Sequence, residues 1–567
     1  MTPIDSTALA NAQKWLATSI DNDTKECIIR MKEENPDEFN DSFYRTLEFG
    51  TGGLRGIMGI GTNRMNKYTV AMATQGFANY TISQNPNKRL KVVISFDSRN
   101  NSVEFADITA KVFAANGFDV FLFGALRPTP VLSFAVRELQ CDCGVMITAS
   151  HNPKEYNGYK AYWSDGGQLV CPHDTSVIEE VDKITDLSQV KTQNTDKNIT
   201  ILGEEFDDIY LRRVLSLRLS PKEIEQHNNI KIVYTPLHGT GGQIVPKALQ
   251  MFGFNNVHTV LEQAKPDGNF PTCVSPNPEE RSALTLGLKL AQIIDADILL
   301  ATDPDADREA LAAKDHNNNW ICFNGNQMAS IITYYLLHKW QQQGLLTGKQ
   351  YIVSTVVSSE LIKRIAEHYQ VKCYEVLTGF KFIADKILSL EGKQQYIGGG
   401  EESYGYLIGD FVRDKDAVSG CCLIAEIAAW VASKGKTIYD ILIEIYQNHG
   451  FFHESLLSIV RKGKTGSEEI VSMMKNFRTS PPDTLLGQKI VKIIDYLDTA
   501  TTQLPKSNVL QWFLEDGTKI SMRPSGTEPK LKFYFGVASS LSDSSDIEKH
   551  IALAEEKIAA IKQELNL

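Results

Sequence analysis

The 567-residue sequence predicts an α/β protein built from several sheet domains. Apolar segments beginning near Lys91, Ile230 and Tyr351 have the composition of buried strands, and a polar turn follows each of them. The three segments lie about 120 to 140 residues apart, which indicates a repeated α/β unit. A chain of this length exceeds a single hydrophobic core and suggests about three to five domains.

The composition is that of a globular protein, with 42% hydrophobic and 22% charged residues. A net charge of −11 argues against a nucleic acid or an acidic membrane as the partner, since either would require a basic surface. The nine cysteines show no zinc-site or redox spacing, which indicates reduced thiols in the cytoplasm. No apolar run reaches the roughly 18 residues of a membrane span, and the first residues do not resemble a signal peptide.

The N-terminal region, residues 7–35, has apolar side chains spaced among charges and predicts one or two amphipathic helices that pack on the first domain. The glycine-rich segment 48–56 follows and contains one arginine, Arg55. Glycines allow backbone N–H groups to approach an anion, and a guanidinium can bind two phosphate oxygens. We interpret this loop as a candidate phosphate contact; a simple chain turn is the alternative.

The apolar segment 144–147 ends in Thr148-Ala149-Ser150-His151-Asn152-Pro153. Because Asn152-Pro153 interrupts the strand, Ser150 is expected on a tight loop at the carboxyl end of a strand. Open α/β sheets place their ligands at such ends. We interpret Ser150 as a nucleophile, and ordinary turn chemistry is the alternative.

A second apolar segment, 298–301, continues into Thr302-Asp303-Pro304-Asp305-Ala306-Asp307-Arg308. Three alternating carboxylates at a strand end can bind one hard cation, and Mg²⁺ prefers such oxygen ligands. An EF-hand is disfavoured because its later glycine and terminal glutamate are missing. A solvated acidic turn is the remaining alternative. Arg308 is expected beside the metal, within reach of a phosphate.

Three further turns carry polar chemistry. Segment 397–405 contains carboxylates and a hydroxyl that can accept hydrogen bonds from sugar hydroxyls. Segment 378–381 places Lys381 beside a glycine turn, where desolvation can lower its pKa toward acid–base use. Segment 523–530 combines a guanidinium, two hydroxyls and backbone donors, which is the chemistry of a phosphate clamp.

The C-terminal part of the sequence predicts a smaller unit. Strands are expected near 490–494, 509–514 and 531–539, and a helix near 546–565. The segment 461–482 contains two glycines and two prolines, so we expect it to be irregular.

Five of these loops, taken in chain order, resemble those of the α-D-phosphohexomutase superfamily, in particular its branch of phosphoglucomutases and phosphopentomutases. The five matching segments are 51–56, 148–153, 303–308, 400–403 and 523–527. The resemblance extends from about residue 43 to the C-terminus. It implies four domains around a central cleft, with three related α/β sheet domains and a smaller α+β lid. We place these domains, which would carry the phosphoserine, metal, sugar and distal phosphate loops, at residues 1–205, 206–322, 323–455 and 456–567.

The resemblance implies a role for each matching residue. Ser150 would carry the phosphoryl group and would bind Mg²⁺ together with Asp303, Asp305 and Asp307. Lys381 would be the general acid/base, with His151 as the competing candidate. The residues implied around the transferring phosphoryl group are Arg55, His151, Lys160 and Arg308. The residues implied at the sugar and at its distal phosphate are Thr378, Gly379, Glu401 and Ser403, then Arg523, Ser525, Gly526 and Thr527.

The implied activity is the reversible conversion of α-D-glucose 1-phosphate to glucose 6-phosphate, with glucose 1,6-bisphosphate as intermediate and activator. Pro304 and Glu402 stand where many relatives carry glycine and methionine, and both resemble the glucomutase branch. Phosphopentomutase and phosphomannomutase activities remain alternatives, and a metal-dependent sugar phosphatase or a non-catalytic sugar-phosphate sensor are remoter ones. The expected partners are small sugar phosphates, and the expected assembly is a monomer or a homodimer.

Overall fold

The computed structural model describes residues 3–50, 52–193, 198–461, 463–525 and 530–567. Four sheets follow one another along the chain, and each is the centre of one unit. The first three sheets mix parallel and antiparallel strands, and the fourth is antiparallel. The predicted α/β class with a different final unit is confirmed. Within the described ranges, no helix has the length and apolar character needed to span a membrane.

Three helices precede the first sheet: α1 (Ser6–Leu16), α2 (Asn22–Glu34) and α3 (Pro36–Phe43). The carboxylates of Asp5 and Asp21 accept hydrogen bonds from the first N–H groups of α1 and α2, so each of these helices begins at an N-cap. Pro36 begins α3, because the first turn of a helix needs no N–H partner. Apolar side chains of the three helices pack together and contact Tyr68 of the first unit.

The elements of the first unit are β1 (Gly53–Ile57), α4 (Lys67–Gln84), β2 (Lys91–Phe96), α5 (Ser102–Ala115), β3 (Asp119–Phe123), α6 (Thr129–Glu138), β4 (Cys143–Ile147), β5 (Tyr156–Trp163), α7 (His173–Asp182) and β6 (Ile199–Leu202). The strand order is β1-β5-β4-β2-β3-β6, with β2 parallel to both β3 and β4. Helices cover the parallel centre, which is why β2 and β4 are buried apolar runs. The loops that follow β2 and β4 therefore emerge at the same edge.

The elements of the second unit are α8 (Glu205–Leu215), α9 (Pro221–Gln226), β7 (Ile232–Thr235), α10 (Gly241–Phe252), β8 (Val257–Thr259), α11 (Leu261–Ala264), α12 (Thr285–Ile293), β9 (Ile298–Thr302), β10 (Glu309–Lys314) and β11 (Trp320–Cys322). The strand order is β11-β10-β9-β7-β8. Strands β9 and β10 pair antiparallel, so the segment 303–308 is the turn of a hairpin. The irregular segment 265–284 reaches the first unit, where Ser275 Oγ donates to His151 O at 3.2 Å.

The elements of the third unit are α13 (Gly325–Gln342), β12 (Gln350–Thr355), α14 (Glu360–His368), β13 (Lys372–Val376), α15 (Phe380–Leu390), β14 (Gln395–Glu401), β15 (Gly405–Ile408), α16 (Ala417–Ala432) and α17 (Ile438–His449). The strand order is β13-β12-β14-β15. Helix α16 is buried from Ala417 to Val431 and packs against α9, α10, β9 and β10 of the second unit. The second and third units therefore share one continuous hydrophobic core.

Glu426 is a buried carboxyl group on α16 at this shared core. Its Oε1 accepts hydrogen bonds from the N–H groups of Leu219 and Ser220 at 2.6 and 2.5 Å, and from Tyr335 Oη at 2.6 Å. Its Oε2 is buried and has no hydrogen-bond partner among the described residues. Burial raises the pKa of Glu426 from its ordinary 4.5 to about 7, although the hydrogen bonds act in the opposite direction.

The elements of the fourth unit are β16 (Phe451–Val460), α18 (Gly463–Thr479), β17 (Thr484–Leu485), β18 (Gln488–Asp495), α19 (Thr499–Thr502), β19 (Leu510–Leu514), β20 (Lys519–Pro524), β21 (Lys530–Ser539) and α20 (Ile547–Glu564). The strand order is β16-β21-β20-β19-β18-β17. The contacts of this unit with the third one include a hydrogen bond from Gln511 Nε2 to Val356 O at 2.6 Å and an ion pair of Lys519 with Glu360 at 2.7 Å. Apolar side chains such as Val356 and Val509 also pack together between the two units.

Helix α18 contradicts the expectation that segment 461–482 is irregular. Ile470 and Met474 lie one helical turn apart and are both buried. The ring of Phe477 contacts the rings of Trp512 and Phe533 with centroid distances of 5.7 Å each. This apolar stripe packs on the sheet and outweighs the low helix propensity of glycines near the start of the segment.

We predict that Glu426→Gln becomes more stable relative to the wild type as the pH rises from about 5 to about 7.5. The folded state holds the carboxyl proton more tightly than the unfolded state, so wild-type stability falls between pH 4.5 and about 7. The slope from this one group can reach about 1.4 kcal/mol per pH unit. Glutamine keeps the acceptor oxygen and never ionises. The measurement is the difference in Tm between the two proteins at several pH values.

The exposed Glu367 on α14 provides the control, because Glu367→Gln changes a side chain outside the core. This variant should show a flat Tm difference over the same range. A flat difference for Glu426→Gln would contradict the prediction.

Candidate active site

The four units surround a cavity of about 1270 Å³. Each unit contributes residues from at least one of the loops selected from the sequence. The described loop residues that line the cavity include Arg55, Ser150, His151, Lys160, Asp307, Arg308, Thr378, Gly379, Glu401, Ser403, Arg523 and Ser525. Gly526 and Thr527 lie outside the described residues.

Ser150 lies on the turn after β4 and is buried. Its Oγ donates a hydrogen bond to Asp303 Oδ2 at 2.8 Å, which joins the first unit to the second. The Nδ1 atom of His151 lies 3.1 Å from the same Oγ. Burial lowers the pKa of His151 well below its usual value, and the charges of Arg308 and Arg55 lower it further. The imidazole is therefore neutral near pH 7.

The side chains of Asp303, Asp305 and Asp307 converge in the β9–β10 turn. All three are buried, and one carboxylate oxygen of each lies within 4.8 Å of the others. Burial and the negative charges of Asp305 and Asp307 raise the pKa of Asp303 above its usual range. Asp305 Oδ1 and Asp307 Oδ1 are buried without a hydrogen-bond partner in the described part of the chain. Three crowded carboxylates with two unused oxygens fit a divalent metal ion, so this cluster could hold one.

Two lysines lie beside the aspartates. Lys160 Nζ lies 2.7 Å from Asp305 Oδ2 and 2.8 Å from Asp307 Oδ2, and Lys415 Nζ lies 3.1 Å from Asp307 Oδ2. Burial acts to lower the pKa of Lys160, but the charges of Asp305 and Asp307 outweigh it and raise the pKa. The ammonium group therefore stays protonated and offsets part of the negative charge. Sequence analysis missed Lys415, although Asp414-Lys415-Asp416 directly before an apolar helix was an available signal.

Thr129, at the start of α6, makes a second connection between the first two units. Its N–H donates to Asp305 O at 2.8 Å, and its Oγ1 donates to Asp305 Oδ2 at 2.8 Å. Both groups are buried. Thr129 therefore fixes the main chain and the carboxylate of one metal-loop residue. No sequence pattern distinguished this threonine from an ordinary helix start.

Arg308 and Arg55 are two further cationic residues that line the cavity. Arg308 forms an ion pair with Glu279, and its Nε lies 4.0 Å from Asp307 Oδ1. Arg55 Nη1 donates to Asn152 Oδ1 at 3.3 Å. Glu279, in the irregular segment of the second unit, also lines the cavity and was not identified from the sequence.

The sugar-loop residues lie together, but Lys381 lies apart from them. Glu401 Oε1 accepts a hydrogen bond from Gly379 N at 2.9 Å, so this turn and the end of β14 form one edge of the cavity. Lys381 is absent from the described residues that line the cavity, and its Nζ lies 3.3 Å from Asp174 Oδ2 of the first unit. Burial lowers the pKa of Lys381, while Asp174 opposes the effect.

The fourth unit presents a basic face to the cavity. Arg523 on β20 lies opposite Lys532 on β21, and alternate residues of a strand share one face. These two strands also line the cavity with Lys519 and Lys532, which sequence analysis missed, and with Lys530, the last residue of the selected segment 523–530. Their alternation in the sequence was a detectable strand signal. An anion that enters the cavity therefore meets several cationic side chains on this side.

Three regions of the chain match family models described as phosphoglucomutase/phosphomannomutase alpha/beta/alpha domains. Residues 46–188 match domain I, residues 208–317 match domain II, and residues 324–449 match domain III. Together they cover more than half of the chain.

Curated relatives are similar over most of their length. A phosphoglucomutase of Staphylococcus aureus is 38% identical over 534 residues, which cover 92% of this chain and 94% of the relative. A phosphoglucomutase of Staphylococcus haemolyticus is 38% identical over 512 residues, with 87% and 91% covered.

Solved structures show the same fold. A putative phosphomannomutase from Thermus thermophilus superposes with a TM-score of 0.70 at 20% identity, covering 92% of this chain and 98% of that one. Parafusin from Paramecium, a phosphoglucomutase in an open form, gives a TM-score of 0.66 at 17% identity, with 91% and 96% covered. With the family models and the relatives, these matches show that the chain belongs to the phosphoglucomutase/phosphomannomutase family.

Proposed function

We propose that the protein is a phosphoglucomutase that interconverts α-D-glucose 1-phosphate and glucose 6-phosphate through a phosphorylated Ser150. The observation that carries this proposal is the contact of Ser150 Oγ with Asp303 at 2.8 Å, inside a cavity that the basic face of the fourth unit also lines. The names of the curated relatives support the same activity. A cytoplasmic location suits such small substrates.

In the first transfer, the free hydroxyl oxygen of the sugar phosphate attacks the phosphorus of phospho-Ser150. The new O–P bond forms while the bond from Oγ to phosphorus breaks, and glucose 1,6-bisphosphate results. The hydroxyl loses its proton as it attacks and the released Ser150 oxygen gains one, and His151, whose Nδ1 lies 3.1 Å from Oγ, is placed to deliver that proton. We favour His151 over Lys381 for this step because its imidazole lies within reach of Oγ.

Positive charge around the phosphoryl group lowers the barrier to transfer. Arg55, Arg308 and Lys160 are the side chains that we assign to this role, since all three line the cavity beside the Ser150 loop. Asp303, Asp305 and Asp307 would hold Mg²⁺ together with an oxygen of the phosphorylated Ser150. When bound, the ion would neutralise charge on the phosphoryl oxygens.

The second transfer needs the bisphosphate to turn round, so that its other phosphate faces Ser150. Arg523 and Ser525 hold whichever phosphate is distal, and Glu401 and Ser403 hold the sugar hydroxyls in either orientation. The fourth unit also covers the cavity and excludes water, which would otherwise hydrolyse the phosphoserine. The reverse transfer then returns a phosphoryl group to Ser150 and releases the isomer.

We predict that Ser150→Ala loses mutase turnover by at least about 1,000-fold, because no other group replaces the covalent carrier. A coupled assay with glucose 1-phosphate, Mg²⁺ and the bisphosphate measures this loss. With the wild-type protein, the same assay on mannose 1-phosphate and ribose 1-phosphate ranks the three substrates. Measurement of the inorganic phosphate that the wild type releases tests for phosphatase activity. The exposed Ser83→Ala is the matched control and should keep full activity. Wild-type turnover in Ser150→Ala would exclude Ser150 as the nucleophile.

We predict that Thr129→Val weakens metal binding about 10-fold or more, because loss of the hydroxyl frees the Asp305 carboxylate that it orients. Thr129→Ser keeps the hydroxyl and should bind metal like the wild type. Calorimetric titration of the protein with Mn²⁺, without substrate, measures the affinity. Equal Mn²⁺ affinity in the valine and serine variants would show that Thr129 does not orient a metal ligand.

A further inference from the structure

Arg99 is a buried arginine that lies beneath the loop carrying Ser150. It follows strand β2, and its side chain is 0% exposed. Nη2 donates to the carbonyl oxygens of Ser150 and Asn152 at 2.5 Å each, and Nη1 donates to those of Pro153 and Tyr156 at 2.9 and 3.0 Å. One guanidinium group therefore holds the whole turn by its main chain.

This arrangement requires the shape of arginine as well as its charge. A guanidinium is a planar fork with five N–H donors, and its two terminal nitrogens can serve carbonyls that lie apart. A lysine ammonium has three donors on one nitrogen and cannot span the same set. Because the guanidinium is buried, its loss would leave these carbonyl oxygens without their donors.

The Ser150 loop needs such support, because Ser150 has a left-handed backbone with φ of 53°. The N–H of Ser150 donates to Thr148 Oγ1 at 2.8 Å, and this hydroxyl donates to Asp97 Oδ2 at 2.7 Å. The carbonyl of Ser150 is held by Arg99. Both peptide groups of Ser150 are therefore fixed, and the side chain is directed toward Asp303.

Arg99 is itself fixed on two sides. The Asp97 carboxylate lies 3.4 Å from its Nε, and the guanidinium carbon lies 5.0 Å from the ring centre of Phe270 in the second unit. Arg99 is not among the described residues that line the cavity, whereas the loop above it is. Its charge also acts on Asp303 and Asp305, and Arg99→Lys keeps that charge, so this substitution isolates the effect that passes through the loop.

We propose that Arg99 is the positioning residue of the nucleophile loop, an inference that rests on the proposed role of Ser150. Its four carbonyl contacts hold Oγ where it can exchange a phosphoryl group with either end of the sugar. Without this fork the loop relaxes toward an ordinary backbone conformation, and Oγ moves away from Asp303. The basic face of the fourth unit, which binds the distal phosphate, is unaffected.

The test uses the full-length protein with Arg99→Lys. We expect kcat for glucose 1-phosphate to fall about 100-fold, because a small displacement of a reacting atom has such an effect. KM should stay within about threefold, since ground-state binding depends on the other loops. Transfer of a phosphoryl group from glucose 1,6-bisphosphate to Ser150, followed by mass spectrometry, should slow by the same factor as kcat. Amide hydrogen exchange should accelerate in peptides covering residues 148–156 and not in the rest of the first unit.

Arg89→Lys is the matched control, because Arg89 makes a bidentate contact with Asp119 on the exposed surface of the same sheet. Arg89→Lys should leave kcat unchanged and should not alter amide hydrogen exchange in residues 148–156. If Arg99→Lys does not fold, Phe270→Leu removes the ring contact of the guanidinium and should lower kcat about three- to tenfold, with faster exchange in the same peptides.

Wild-type kcat and unchanged exchange in Arg99→Lys would overturn the proposal, and the same result in Phe270→Leu would do so if the lysine variant is unfolded. Failure of the proposed function has a different signature. In that case Ser150→Ala keeps its turnover and Ser150 takes up no phosphoryl group, whatever the Arg99 variants show.

Discussion

The mutual repulsion of three buried carboxylates is the constraint around which the active site is built. Asp303, Asp305 and Asp307 lie too close together to remain ionised without nearby positive charge. Lys160 comes from the first unit and Lys415 from the third, and both pair with the aspartates of the second. The charge balance of one turn therefore depends on three units at once. This dependence explains why the first, second and third units contact one another inside the site as well as elsewhere.

Buried carboxyl groups that need partners from other units also occur in the contacts between the units. Thr129 and Ser150 of the first unit both donate to aspartates of the second, so the Ser150 loop and the β9–β10 turn are joined by hydrogen bonds. The buried helix α16 and its Glu426 join the second and third units through a common core. The fourth unit is connected to the third by the ion pair of Lys519 with Glu360 and by an apolar cluster that includes Val356, Val357, Tyr496 and Val509.

Much of the site could be predicted from short segments of sequence. The chemistry of a loop depends on the residue types within it, as in the alternation of Asp303, Asp305 and Asp307 or the guanidinium and hydroxyls of segment 523–525. The apolar segments before such loops predicted strands, with each loop at the carboxyl end of its strand. The structure agrees for β2, β4 and β9. The prediction of an irregular segment at 461–482 was wrong, because the glycines and prolines near its ends are typical of turns. Its apolar stripe makes a helix favourable only when it packs on the sheet.

The sequence by itself determined the fold class, the nature of each reactive loop and their order along the chain, because these properties are local. Only the tertiary structure decided which side chains reach those loops from elsewhere. Arg99 beneath the nucleophile loop and Lys415 beside Asp307 are separated from their partners by about 50 to 110 positions. Lys381, which looked reactive beside its glycine turn, pairs with Asp174 of the first unit. Burial and electrostatic balance depend on contacts between distant segments, and no spacing within a single loop records them.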